Sequence, residues 1–102
     1  MIDKLREKFH RLEYEYTLHA VDRSIEKRIT RQEIEEAIAN GETIEDYPTD
    51  KYGPSCLVFG RTRQGRPLHV QCTHPGRLKV KIITVYEPDV SEWIDFRTRR
   101  SR

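Results

Sequence analysis

The sequence predicts an α+β domain: two or three N-terminal helices packed on a three- to four-stranded antiparallel sheet, with a short helix closing the chain. Three observations predict it. Apolar residues recur at helical spacing up to Gly41 and at alternating spacing beyond it. The runs "SCLVFG" (55–60), "PLHVQCT" (67–73) and "KVKIITVY" (79–86) are rich in β-branched and aromatic residues, and the intervening "RTRQGR" and "HPGRL" are short enough for hairpins. The 102 residues suffice for one domain with a modest core, and no internal repeat divides them.

Each element has its own signal. Ile2, Leu5, Phe9 and Leu12 predict an amphipathic first helix over 2–13, and "EYEYT" reads as an extended connector, so 1–16 forms a helix plus connector. Thr17 is suited to cap a second helix running to about Lys27, on which Leu18, Val21 and Ile25 make the apolar face. Thr30 and Glu33 form a capping box for the third helix, whose buried stripe is Ile34, Ala37 and Ile38. Asn40-Gly41 is expected to stop it, because glycine tolerates the left-handed conformation that closes helix ends. "TIEDY" suits an edge strand ended by Pro48. After Pro88, "DVSEWIDF" is expected to form the closing helix, with Trp93 folding back as an anchor. Residues 97–102, "RTRRSR", are expected to be a disordered basic tail.

Strand alternation then assigns faces. Leu68, Val70 and Cys72 share one side, so His69 and Gln71 point the other way, onto a face that the helices leave open. The last strand resists this treatment. Val80, Ile82, Thr84 and Tyr86 alternate against Lys79, Lys81, Ile83 and Val85, and both sets contain apolar residues. A bulge is one way to re-aim Tyr86; periodicity leaves both orientations open.

Composition narrows the function classes. Charged residues make up 35% of the chain, as many as hydrophobic ones, so the surface must be heavily ionic. No apolar run approaches the roughly 20 residues of a membrane span, and "MIDKLREKFHRLEYEY" is charged throughout, so no secretory signal is expected and the cytoplasm is the expected compartment. The net charge of +2 is unevenly placed: 8 Lys/Arg face 13 Asp/Glu in residues 1–50, and 11 face 4 in residues 51–102. A basic half suits a polyanion or an acidic protein, or is simply a solvated surface.

In "TLHAVDRSIEKRIT" the residues His19, Arg23 and Lys27 fall four apart, and each such step turns a helix by only about 40°. They therefore share a stripe. The plain alternative is an exposed ionic face, whose pairs contribute about 0.3–0.5 kcal/mol each. The sharper reading is half of a phosphate site. A metal-free ribonuclease needs a base for the ribose 2′-hydroxyl, an acid for the departing oxygen and cations for the charged phosphorus centre. His19, Arg23, Lys27, His69 and Tyr86 supply those types, while Arg61, Arg63, Arg66 and Lys81 are candidates for binding RNA. For His69 alone, a satisfied structural histidine is the favoured reading. A zinc site among Cys56, His69, Cys72 and His74 is disfavoured, since no C-x-x-C occurs and Cys72 faces away from His69. No metal and no cofactor are expected.

The run "HAVDRSIEKRITRQEIEEAIANGETIEDYP", with "LVFGRTRQGRPLHV" and "IITVYEPD", resembles the bacterial domain-of-unknown-function 4258 family across residues 17–89. The resemblance carries over His19, Arg23, His69, Thr84 and Tyr86 by position; Lys27 stands where an arginine is more usual, keeping the charge but losing the planar fork. It implies a fold similar to RelE- and BrnT-type toxins. It also implies a role in a type II toxin–antitoxin system, with a ribonuclease acting on mRNA and a cognate antitoxin, in some cases a zinc-finger protein, as partner. The alternative is a non-catalytic protein-interaction or nucleic-acid-binding module.

Overall fold

A computed structural model of the chain describes residues 1–101. The first helix, α1 (Ile2–His10), buries Leu5 and Phe9. It closes earlier than its apolar spacing predicts, because Leu12 takes a left-handed φ of 59° and the Glu13 amide returns to the Lys8 carbonyl at 2.9 Å. That hydrogen-bond pattern ends a helix without glycine and turns Leu12 out to solvent.

The next segment corrects the expectation of a connector. Tyr14–Tyr16 is a strand, β1, and it pairs in parallel with β5 (Val80–Tyr86), Tyr14 opposite Val80 and Tyr16 opposite Ile82. The sheet is therefore five-stranded and mixed rather than three- or four-stranded and antiparallel, with order β1-β5-β4-β3-β2. Hydrogen bonds flanking β1 extend the pairing, the Val80 amide donating to the Glu13 carbonyl and the Thr17 amide to the Ile82 carbonyl, each at 3.0 Å. These bonds satisfy the otherwise open edge of β5. Three residues are too few for alternation to announce a strand.

Helix α2 (Leu18–Glu26) starts where Thr17 predicts, its hydroxyl accepting from the Ala20 amide at 3.1 Å. Its orientation is the reverse of the expected one. Ala20 is the buried residue, whereas Leu18 and Ile25 are 85% and 72% exposed and Val21 also faces solvent. Thr17 is also bonded to the Ile82 and Ile83 carbonyls. This ties the helix start against β5, and the small Ala20 permits the close approach.

In α3 (Arg31–Ala39) the capping box of Thr30 and Glu33 is formed, and Ile34, Ala37 and Ile38 are fully buried. This helix lies directly on β3 (Ser55–Arg61), where a Cβ built on Gly60 would sit 1.8 Å from the Ala37 carbonyl oxygen. Gly41 is needed for a related reason and not for a left-handed φ: its Cβ would lie 2.6 Å from Val58 Cγ1.

The strands β2 (Glu42–Tyr47), β3, β4 (Pro67–Thr73) and β5 form the expected antiparallel meander. A bulge settles the face of β5. Gln71 pairs with Thr84 and Cys72 with Ile82, leaving Ile83 over. Val80, Ile82 and Val85 thereby join Val58, Leu68, Val70 and Cys72 in the helix-side core, and Thr84 and Tyr86 face the other way.

The chain's end departs from expectation twice. Among the described residues no helix forms after Pro88; instead β6 (Trp93–Ile94) and β7 (Thr98–Arg99) make a small separate hairpin. Part of the basic segment is thus an ordered strand, with Arg97 paired to Glu42 and Arg99 to Glu45. Arg102 lies outside the described residues. Among those described, no helix is long and apolar enough to cross a membrane.

Candidate functional site

The site candidates lie on the sheet face turned away from the helices. Cross-strand register places Glu45 and Tyr47 of β2, Leu57 and Phe59 of β3, His69 and Gln71 of β4, and Thr84 and Tyr86 of β5 on this side. The expected direction of His69 is correct. The face around it is not open, because the C-terminal hairpin covers it and His69 is fully buried.

Two hydrogen bonds fix the His69 ring. Nε2 lies 2.6 Å from the Phe96 carbonyl, which can only accept, so Nε2 carries a proton. In the neutral ring, Nδ1 then accepts from the Tyr86 hydroxyl at 3.2 Å. The Trp93 ring stands edge-on to the imidazole with centroids 4.5 Å apart. Burial pushes the His69 pKa below the usual imidazole range, against the upward pull of the Phe96 carbonyl and the Glu45 charge. Burial likewise raises the Tyr86 hydroxyl. Both groups are held neutral at pH 7.

Beside this pair stands a charged cluster. Arg99 donates to Glu45 through Nε at 2.9 Å and Nη2 at 3.1 Å, and its guanidinium lies 4.6 Å from the Trp93 ring centroid. Burial alone would raise the Glu45 carboxyl, but Arg99 and the donating Tyr47 hydroxyl outweigh it and hold the carboxyl below its ordinary value. The Tyr47 hydroxyl, buried and bonded to that carboxylate, is pushed up to about 12. A groove of about 480 Å³ opens between Arg99 and the turn at Thr49 and Asp50, floored by Tyr47 and Gln71.

The other predicted residues are dispersed. His19 is exposed on α2; Arg23 lies 3.1 Å from Glu26; Lys27 is the helix C-cap and also exposed. Arg61 rests over the Phe59 and Phe96 rings and donates to the Gly65 carbonyl. Arg63 is 84% exposed, 3.8 Å from Glu36. Arg66 is committed internally, to Glu87 at 2.6 Å, to Glu33, and to the Lys27 and Arg28 carbonyls at 2.9 Å each. Lys81 is half-buried, its amide donating to the Thr73 hydroxyl. The structure thus brings His69 and Tyr86 together, and gives the arginines of the β3–β4 turn three separate destinations.

Cys56 and Cys72 are free, fully buried and directly opposite each other in the helix-side core. The hydrogen bond it donates to Cys56 and burial both raise the Cys72 thiol, which stays protonated. His69 is on the far face, and no group of three metal-ligating side chains gathers among the described residues.

Residues 16–87 match the family model described as Domain of unknown function (DUF4258). The chain belongs to that family. No curated protein and no solved structure matches it. The DUF4258 segment runs from the last residue of β1 to just past β5, so it contains α2, α3, His69 and Tyr86. The hairpin that seals the His69 face, with Trp93, Phe96 and Arg99, lies beyond it. Those three residues, with Glu45 and Tyr47, were not site candidates in the sequence. Only Trp93, an isolated large aromatic, signalled that the chain's end folds back.

Proposed function

We propose that this chain is the toxin of a type II toxin–antitoxin pair, a metal-independent ribonuclease acting on mRNA with a RelE-like layout. The observation that carries the reading is the hydrogen-bonded His69–Tyr86 pair on the sheet face opposite the helices. It offers a base and an acid in contact, with their protons already assigned. One group takes the ribose 2′-hydroxyl proton, the 2′-oxygen attacks the adjacent phosphorus, and the departing 5′-oxygen takes a proton from the acid. His19 is the second histidine able to fill either role. Arg23 and Lys27 share the helix of His19, across the sheet from His69 and Tyr86, and clamp the phosphate where His19 is the base or acid, with Arg63 and Lys81 holding flanking RNA. Arg66 has no part in it, since its guanidinium is occupied by Glu33, Glu87 and two carbonyls.

The test is incubation of pure protein with RNA, with and without chelator, using the native chain and the His19→Ala, Arg23→Ala and His69→Gln variants. Cleavage that survives chelation and falls in variants that still fold supports the reading. Equal cleavage in all three variants removes these residues from the mechanism.

A second reading, a non-catalytic protein-interaction module, is favoured by the solvent-facing Leu18, Val21 and Ile25 of α2. An apolar stripe of this kind on an otherwise ionic surface suits a protein partner, for which an antitoxin is the expected candidate. Intact RNA alongside tight 1:1 binding to a neighbour-encoded protein would select this reading.

A further inference from the structure

The β6–β7 hairpin pairs only with itself and forms a sheet of its own. Its hold on the large sheet is made by side chains and one carbonyl. Arg97 pairs with Glu42 and Arg99 with Glu45, three residues apart on one edge strand. Trp93 and Phe96 supply the apolar contact, with Phe96 5.8 Å from Phe59 between ring centroids. All four ion-pair partners retain solvent contact, from 23% for Glu45 to 62% for Arg99. The ionic part of the attachment is therefore weak and sensitive to salt.

The hairpin's turn also stores strain. The Arg97 amide closes it onto the Ile94 carbonyl at 3.0 Å, and both central residues are left-handed, Asp95 at φ 51° and Phe96 at φ 61°. Aspartate tolerates that region, but a bulky aromatic there is an outlier. The conformation is held by what the turn touches: the Phe96 carbonyl on His69 and the Phe96 ring between Phe59 and Arg61. Detachment would relieve it.

We propose that the C-terminal hairpin is a removable cover, latched by Arg97–Glu42 and Arg99–Glu45, that seals the His69–Tyr86 pair in the resting chain. The cover lies wholly outside the DUF4258 segment. Its purpose as an inhibitory device rests on the ribonuclease reading; its opening and closing do not. A polyanion is suited to release it, because phosphates compete with Glu42 and Glu45 for the two arginines.

The experiment maps the reaction of each histidine with diethylpyrocarbonate by mass spectrometry, on the native chain and on an Arg97→Gln/Arg99→Gln variant, with circular dichroism to verify the core. In the native chain at low salt, His69 should react far more slowly than exposed His19. In the double variant its rate should rise about five- to thirtyfold, the effect of losing two partly exposed pairs. Raising salt from about 0.05 to 1 M on the native chain should shift it the same way, which keeps the test decisive if the variant folds poorly. An Arg97→Lys/Arg99→Lys variant should stay close to native. Reaction of His69 only at the rate of global unfolding, unaltered by either change, would overturn the cover. Intact RNA with an opened, folded variant rejects the nuclease reading and leaves the cover standing; cleavage rising in step with His69 exposure supports both.

Discussion

His69 donates its Nε2 proton to the Phe96 carbonyl across 2.6 Å, tying the middle of the sheet to the tip of the C-terminal hairpin through one hydrogen bond. The bond fixes the tautomer, while burial under the hairpin, working against the bond, sets the direction of the imidazole's pH response.

That response has a definite sign. Burial lowers the folded pKa of His69 below its ordinary 6.5, so the unfolded chain binds the proton more readily. The stability held by the neutral ring is fully present above about pH 6.5 and is lost as pH falls from there toward the depressed value. Urea denaturation at pH 7.5 and pH 5 should show the native chain losing more stability than His69→Gln, which cannot titrate. Equal losses would mean that the ring charges without cost.

Gly60→Ala tests how closely α3 lies on the sheet. The added methyl would meet the backbone carbonyl of Ala37 at 1.8 Å, and no side-chain rotation relieves a backbone clash. A loss of about 1–3 kcal/mol is expected, read as a lower urea midpoint with unchanged m-value. A loss below about 0.5 kcal/mol, the size of a surface effect, would show that the helix can lift away.

How far the sequence leads is clear from particular residues. The capping box of Thr30 and Glu33, the Thr17 cap and the strands around Val58, Val70 and Val85 depend on local chemistry or strong alternation, and they are legible. The parallel pairing of β1 is not, because it depends on where α1 delivers the chain. Helix α2 misleads for an instructive reason: hydrophobic spacing picks the Leu18–Val21–Ile25 side, yet the fold needs the small Ala20 against β5. The cover over His69 is hidden for the same kind of reason, since "DVSEWIDFRTRR" reveals nothing local about Glu42 and Glu45, some 50 residues earlier.

Arg66 belongs by sequence to a basic turn suited to RNA, and by structure to the interior seam between α2 and α3. Arg66→Ala leaves Glu33, Glu87 and the Lys27 and Arg28 carbonyls without their shared donor. With the side chain 25% exposed, screening limits the cost to about 1–3 kcal/mol. Thermal melting should register it, whereas RNA affinity measured below the melting transition should not change. Arg63→Ala should do the opposite, leaving stability within about 0.5 kcal/mol of native. A drop in RNA affinity for a fully folded Arg66→Ala protein would return this residue to the binding surface.

The exposed stripe of α2 gives a different kind of test, because core and surface predict opposite outcomes for the same substitutions. If Leu18 and Ile25 were packed inside, replacing them by charged residues would cost several kcal/mol, beyond the roughly 2–5 kcal/mol of a core truncation. Exposed as they are, Leu18→Glu and Ile25→Lys should each leave stability within about 0.5 kcal/mol of native. The chosen charges also suit the helix, an acid near its N-terminus and a base near its C-terminus. The double variant should therefore melt with the native chain while losing affinity for any partner that covers α2, which calorimetry can read directly. A large loss of stability in the isolated chain would place the stripe back in the core and end the interaction reading. Unchanged affinity in a stable variant would move the partner to another face.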